Sequence, residues 1–298
     1  MFNLRLLKKV TFFSLLLIFI SVSFALSKEP AVTAGWLEKN INNPNVVIVD
    51  VRKVEEYKAG HIPNSVNVFY GSWAISKGGM RNELPAMDDL FDLIGSSGIT
   101  PETHVVVVGK TDTPPDKFDM TRVVWTLKYA GVKNVSMLDG GYNKWVAEKK
   151  AISTEQVKPK SKTYKGEINK NLIVDKNYVM SRIDKAVLVD VREPDFFQGK
   201  KKLDFVAKPG RIKNAVNLPN SLAFNQDSTL KTKEELEKAA TSVIGTDRTK
   251  EIITYCDTGK TCTAWAIILS DILGYKDVKI YDGSTEEWTK DPAAPWEQ

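Results

Sequence analysis

Apolar positions along this chain fall into two alternating textures. Short, β-branched and essentially apolar runs recur at Val46–Val49, Val105–Val108, Val187–Val189 and Ile252–Tyr255, as in strands buried on both faces. Between them lie amphipathic segments such as Thr121–Tyr129 and Thr263–Leu273. Each closes near a glycine, Gly131 or Gly274, able to stop a helix. Strand and helix in alternation predict parallel sheets covered by helices, an α/β architecture.

The pattern occurs twice. Val46-Val47-Ile48-Val49-Asp50-Val51-Arg52 returns 140 positions on as Ala186-Val187-Leu188-Val189-Asp190-Val191-Arg192. Gly60-His61-Ile62-Pro63-Asn64 returns 150 positions on as Gly210-Arg211-Ile212-Lys213-Asn214, so the second copy carries an insertion, placed in the Lys-rich stretch 198–208. Val105–Val108 matches Ile252–Tyr255, and Leu138-Asp139-Gly140-Gly141 with Trp145 matches Tyr281-Asp282-Gly283-Ser284 with Trp288. Four matches in one order describe a duplicated domain. The copies are placed at 27–150 and 172–298, with the Lys-, Thr- and Ser-rich segment 151–171 as linker. A length of 298 residues, 42% hydrophobic and 27% charged, suits two such cores.

The first residues have a different character. Arg5, Lys8 and Lys9 precede the apolar run Val10–Val22, and Ser23-Phe24-Ala25 places small residues before a cleavage point. That is the layout of a secretory signal peptide over residues 1–25. The rival is a retained anchor, since the run approaches the length needed to span a bilayer. No cysteine follows Ala25 to carry a lipid. The expected mature protein is exported, periplasmic or otherwise extracytoplasmic, without stable membrane association. Taking those three from the 42 basic residues leaves 39 against 37 acidic ones. Near-neutrality gives no argument for a nucleic-acid partner. Two cysteines are too few for a disulfide framework, and with two histidines they are too few for a zinc site.

The candidate chemistry lies in Tyr255-Cys256-Asp257-Thr258-Gly259-Lys260-Thr261-Cys262-Thr263. Cys256 ends a buried parallel strand, where α/β folds place ligands. The loop after it runs into a helix N-terminus, which favours an anion, and a thiolate there has a depressed pKa. Gly259 lets the backbone curl so that successive N–H groups turn inward. Lys260 adds a cation. Asp257 opposes it, unless it faces out or binds loop amides.

These residues and the repeat resemble the tandem rhodanese-domain sulfurtransferases of the thiosulfate/3-mercaptopyruvate family, over nearly all of the mature chain. The shared marks are the Asp-x-Arg strand ends, the Gly-His-Ile-Pro-like segment and a six-residue loop opened by cysteine. The resemblance implies two rhodanese-like domains, each a mainly parallel sheet with helices on both faces, of which only the second is catalytic. Gly109 follows the equivalent strand of the first copy, which has no cysteine. It implies that Cys256 is the nucleophile carrying sulfur as a persulfide, and that Asp257, Thr258, Gly259, Lys260 and Thr261 form its cradle. Arg192 would bind an anionic donor, with Asp190 supporting it. No cofactor or metal is implied. The partners would be a small anionic sulfur donor, a cyanide or thiol acceptor and, in a relay, a sulfur-accepting protein. Cys-Asp-Thr-Gly-Lys-Thr matches neither the thiosulfate nor the mercaptopyruvate version of the loop. Lys260 with Arg192 favours thiosulfate or another small sulfane donor.

Rival readings narrow unevenly. A cysteine-dependent phosphatase needs an arginine where Cys262 stands, which argues against that class. Cys262 remains open between a core-facing residue, a resolving thiol and a disulfide partner of Cys256; a bridge needs Cα atoms within about 7 Å. His61 and His104 lie in the copy without cysteine and read as structural. Asp50 with Arg52 reads as a strand-end ion pair, Trp145 and Trp288 as core anchors, and Lys200–Lys202 as a solvated run.

Overall fold

The computed structural model describes residues 29–298, so the expected signal peptide lies outside the described residues. The first unit contains β1 (Ala31–Val32), β2 (Val46–Asp50), β3 (Val66–Asn67), the hairpin β4 (Ile75–Lys77) and β5 (Met80–Glu83), β6 (His104–Val108) and β7 (Asn134–Leu138). The second contains β8 (Ile173–Val174), β9 (Val187–Asp190), β10 (Arg211–Ile212), β11 (Val216–Asn217), β12 (Glu251–Tyr255), β13 (Asp277–Tyr281) and β14 (Trp296–Glu297). The main sheets run β1-β7-β6-β2-β3 and β8-β13-β12-β9-β11, the same order twice. Every pairing in both is parallel.

Strands between two layers must be apolar on both faces, and they are. In the first unit Val49, Val105 and Val107 face one core while Ile48, Val106 and Val108 face another. In the second, Val189, Ile252 and Ile280 face one side and Leu188, Ile253 and Tyr281 the other. Trp145 and Trp288 are fully buried, as anchors should be.

One of these cores is continuous across both units. The helix Lys117–Tyr129 of the first lies on the helix Cys262–Ile267 of the second. They touch through the equivalent hydroxyls Thr121 Oγ1 and Thr263 Oγ1, 2.9 Å apart. The second helix is not α throughout, as its periodicity predicts; it widens into a π turn over Ile268–Ile272.

The segment 151–171 is laid along the first unit rather than left free as a linker. Lys162 N donates to Gly95 O (2.8 Å), Tyr164 Oη to Ala130 O (2.7 Å) and Asn169 N to Tyr129 O (2.8 Å). A Cβ on Gly95 would stand 2.3 Å from Lys162 O, so glycine is required under the strap. Lys200–Lys202 are exposed, whereas Val206 just beyond is buried. His61 is buried, stacked 3.8 Å from Tyr57 and held by Tyr57 O and Glu155 O. Asp50 and Arg52 form their ion pair at 2.6 Å. Among the described residues no helix is long and apolar enough to cross a membrane, and no cluster could hold a metal.

A shared core couples the units energetically. Calorimetric unfolding should therefore give one cooperative transition, with the calorimetric and van't Hoff enthalpies equal. Two resolved transitions would mean that the interface is only a contact.

Candidate active site

Cys256 follows β12 directly and is 1% exposed. Burial alone would push its thiol up. The neighbouring Cys262 thiol and Thr261 hydroxyl, with the backbone N–H groups of Thr258 and Cys262, favour the charged sulfur and outweigh that. They hold Cys256 well below the ordinary thiol range. Cys262 moves the opposite way, pushed well above its ordinary range by burial and by donating to Cys256. Both cysteines are free. Of the three readings left open for Cys262, the structure gives neither a disulfide nor a poised resolving thiolate. It is a buried, free residue at the start of the helix that follows the loop.

The expected ring of inward amides is only partly present. The N–H groups of Cys256 and Gly259 donate instead to Ser284 Oγ, at 3.1 and 3.0 Å. Ser284 Oγ lies 3.8 Å from Cys256 Sγ and 2.9 Å from Tyr281 O. To reach this position Ser284 adopts φ +48°, a strained value for a residue with a Cβ. Its counterpart in the first copy is Gly141, at φ +62°. Gly259 takes φ +69°, and a Cβ there would stand 2.4 Å from both Asp282 O and Asp282 Oδ1. Only glycine closes this loop.

The outer side of the loop is held by the first unit. Arg122, fully buried, donates through Nη1 to Gly259 O (2.8 Å) and Asp282 Oδ1, and through Nη2 to Asn82 O (2.6 Å). Asn82 Nδ2 donates to Thr258 Oγ1 at 2.8 Å. Lys260 pairs with Asp119, and its ammonium rests 4.8 Å from the centre of the Tyr70 ring. It thus tethers the loop to the other unit. In the first unit a Cβ at Gly109 would meet Met120 Cγ at 2.8 Å, so the equivalent cradle is filled.

Arg192 and Asp190 come together as expected, with Nη2 to Oδ2 at 2.6 Å and a further bond from Nη2 to Gly210 O at 2.7 Å. The guanidinium is therefore already engaged. Asp257 does not face out or bind loop amides. Its Oδ1 accepts from Thr285 Oγ1 (2.9 Å) and lies 3.5 Å from Arg192 Nη1. Burial pushes its carboxyl up to about 6, against the pull of Arg192 and with a push from Cys256. Arg192, Asp257 and Thr261 line a cleft of about 770 Å³, whose other wall, including Pro115 and Phe118, comes from the first unit.

The sequence therefore placed Cys256, its loop and the Asp190–Arg192 pair, but missed Ser284, Arg122 and Asn82. Ser284 had a signal: it departs from glycine at a duplicated position that needs positive φ. Arg122 and Asn82 had none, because their contacts cross between units.

Both copies match the family model described as the rhodanese-like domain, over residues 33–148 and 175–291. The chain belongs to that family, and its class is that of a rhodanese-type sulfurtransferase. It is 31% identical over 275 residues to a Mycolicibacterium smegmatis protein described as "Putative thiosulfate sulfurtransferase", covering 89% of this chain and 96% of that one. It is 27% identical to the sulfur carrier protein TtuD of Thermus thermophilus, over 87% and 93% of the two chains. Among solved structures, the anaerobic ergothioneine biosynthesis enzyme from Chlorobium limicola superposes with a TM-score of 0.79 at 24% identity. That match covers 90% of this chain and 70% of the other, and at such identity it speaks to the fold alone.

Gly259→Ala should lower turnover at least tenfold, because the loop must open to admit the Cβ; near-native turnover would show the cradle to be loose. Asp257 gives a pH signature. As pH falls through about 6 its carboxylate protonates, removing a negative charge beside Cys256 and Arg192. kcat/KM for an anionic donor should then rise toward pH 5.5, and Asp257→Asn should flatten the profile.

Proposed function

We propose that the protein moves a sulfane sulfur from thiosulfate, or a similar small anionic donor, to a thiophilic acceptor through a persulfide on Cys256. The observation that carries this reading is the buried Cys256 at the end of β12, enclosed by its tight loop and by Ser284, among groups that lower its thiol pKa. In the first half-reaction the Cys256 thiolate attacks the outer sulfur of thiosulfate. The sulfur–sulfur bond of the donor breaks, and sulfite leaves with the electron pair. The product is Cys256–S–S⁻. The donors that now face Cys256 would stabilise the new terminal sulfur, as preorganised donors do where charge develops. In the second half-reaction cyanide or a thiolate takes the outer sulfur and returns the electron pair to Cys256. No metal or organic cofactor enters either step.

The relative described as a sulfur carrier supports a second reading. In it, the persulfide is handed to a protein and small donors turn over slowly. The loop matches neither the thiosulfate nor the mercaptopyruvate pattern, and Lys260 is tied to Asp119 rather than turned to the cleft. Donor preference therefore falls on Arg192, Asp257 and the cleft wall. Export to the periplasm through residues 1–25 belongs to the same proposal. N-terminal sequencing of the protein from the extracytoplasmic fraction should begin just after Ala25.

Intact-mass analysis after incubation with thiosulfate should show a gain of one sulfur atom, lost on adding cyanide and absent in Cys256→Ser. No adduct with thiosulfate, but one with mercaptopyruvate, would reassign the donor. Loading without turnover by cyanide would favour the carrier reading.

A further inference from the structure

The cations beside the loop are already neutralised: Arg192 by Asp190, Arg122 by Asp282, Lys260 by Asp119. Lys117 is different. It opens the helix Lys117–Tyr129, is 9% exposed and lines the 770 Å³ cleft. No ion pair or hydrogen bond engages it among the described residues; its ammonium rests 4.6 Å from the centre of the Phe224 ring. Three costs fall on this side chain. Burial disfavours its charged form and draws its pKa down. No counter-charge offsets that burial. A cation in the first turn also opposes the helix dipole. A cation kept in place against all three is a candidate for ligand contact.

The same cleft holds a second unmet group. Asn220 Nδ2 donates to Thr261 O at 3.2 Å, which leaves Asn220 Oδ1 buried without a donor. The acidic groups on the cleft are otherwise occupied. Asp257 is bound to Thr285 and faces Arg192, and Glu193 accepts from Ser221. The remaining wall is apolar, with Pro114, Phe118, Phe196 and Phe224. Thiosulfate has no apolar body for that wall and no N–H for Asn220, so the inorganic donor leaves most of the cleft unused.

We propose that Lys117 determines which acceptor is used, by binding the carboxylate of an organic thiol. The acceptor's body lies on the Phe118–Phe224 wall and its amide N–H meets Asn220 Oδ1. This inference rests on the sulfur-transfer reading above. The acceptor thiol gives its proton to solvent, and its thiolate attacks the outer sulfur of Cys256–S–S⁻. The bond between that sulfur and Sγ breaks, the electron pair returns to Cys256, and an organic persulfide leaves. Lys117 takes no part in bond making. It holds the carboxylate so that the attacking sulfur is aimed at the persulfide.

N-acetylcysteine and N-acetylcysteine amide share body, thiol and N–H and differ in the carboxylate, so they isolate this contact. With saturating thiosulfate, the wild-type protein should prefer N-acetylcysteine by kcat/KM, chiefly through KM. Lys117→Met should reduce that preference on the order of tenfold, the worth of one charge-assisted hydrogen bond, while Lys117→Arg retains it. Circular dichroism and melting temperature check that each variant is folded; Lys117→Met should melt no lower than the wild type. No preference in the wild type, or an unchanged preference in Lys117→Met, would overturn the assignment. Cyanide turnover in the same preparations separates the two levels. If it is intact while the preference is absent, only the role of Lys117 falls. If thiosulfate neither loads Cys256 nor supports cyanide turnover, the underlying reading falls with it.

Discussion

A sulfur anion buried in a protein interior is costly unless hydrogen bonds replace the water it has lost. Much of this molecule can be understood as a device for meeting that cost at Cys256. Two backbone amides, a hydroxyl and a thiol around it favour the charged sulfur, and the thiol belongs to Cys262, where a phosphatase cradle would need arginine. An arginine there would clamp a tetrahedral oxyanion bidentately. A thiol supplies one compact donor and no net charge, which fits a single sulfur. The raised pKa of Cys262 is the other half of the arrangement, since a donor must keep its proton.

The loop owes its shape to groups that do not touch the sulfur. Ser284 gathers the amides of Cys256 and Gly259 and accepts an unfavourable backbone angle to do so. Arg122 and Asn82 reach across from the first unit to a carbonyl and a hydroxyl of the loop. The first unit, where Met120 packs behind Gly109 at the corresponding position, thus supports the loop of the second. It also supplies one wall of the cleft. The two units divide the structure of the site: one carries Cys256 and its loop, the other braces that loop and walls the cleft beside it.

What was legible in the sequence follows from the range of the forces involved. Local periodicity and the offset repeats gave both sheets, because a strand between two helical layers must be apolar throughout. The loop could be read because nucleophile, glycine and helix start are adjacent in the chain. Lys260 was read as adding a cation to the loop, but its partner Asp119 could not be read because it lies in the other unit. Asp257 was expected to face outward or bind loop amides, because nothing local shows that Thr285 and Arg192 converge on it. The segment 151–171 looked like a linker on composition, yet its backbone is bonded to Gly95 and Tyr129. Each miss involves a partner distant in sequence, which pattern and propensity do not carry.

Sulfur transfer at this site depends on the charge state of one sulfur. Thiolate absorbance in the ultraviolet, followed through a pH titration of the reduced protein and corrected with Cys256→Ser, measures that state directly. The predicted midpoint for Cys256 lies well below the usual thiol value of about 8.5. Cys262→Ala should move it up by about a unit or more, the worth of one lost bond to a charged acceptor. A midpoint in the ordinary thiol range, or one indifferent to the loss of Cys262, would contradict the claim that these donors hold the sulfur as an anion.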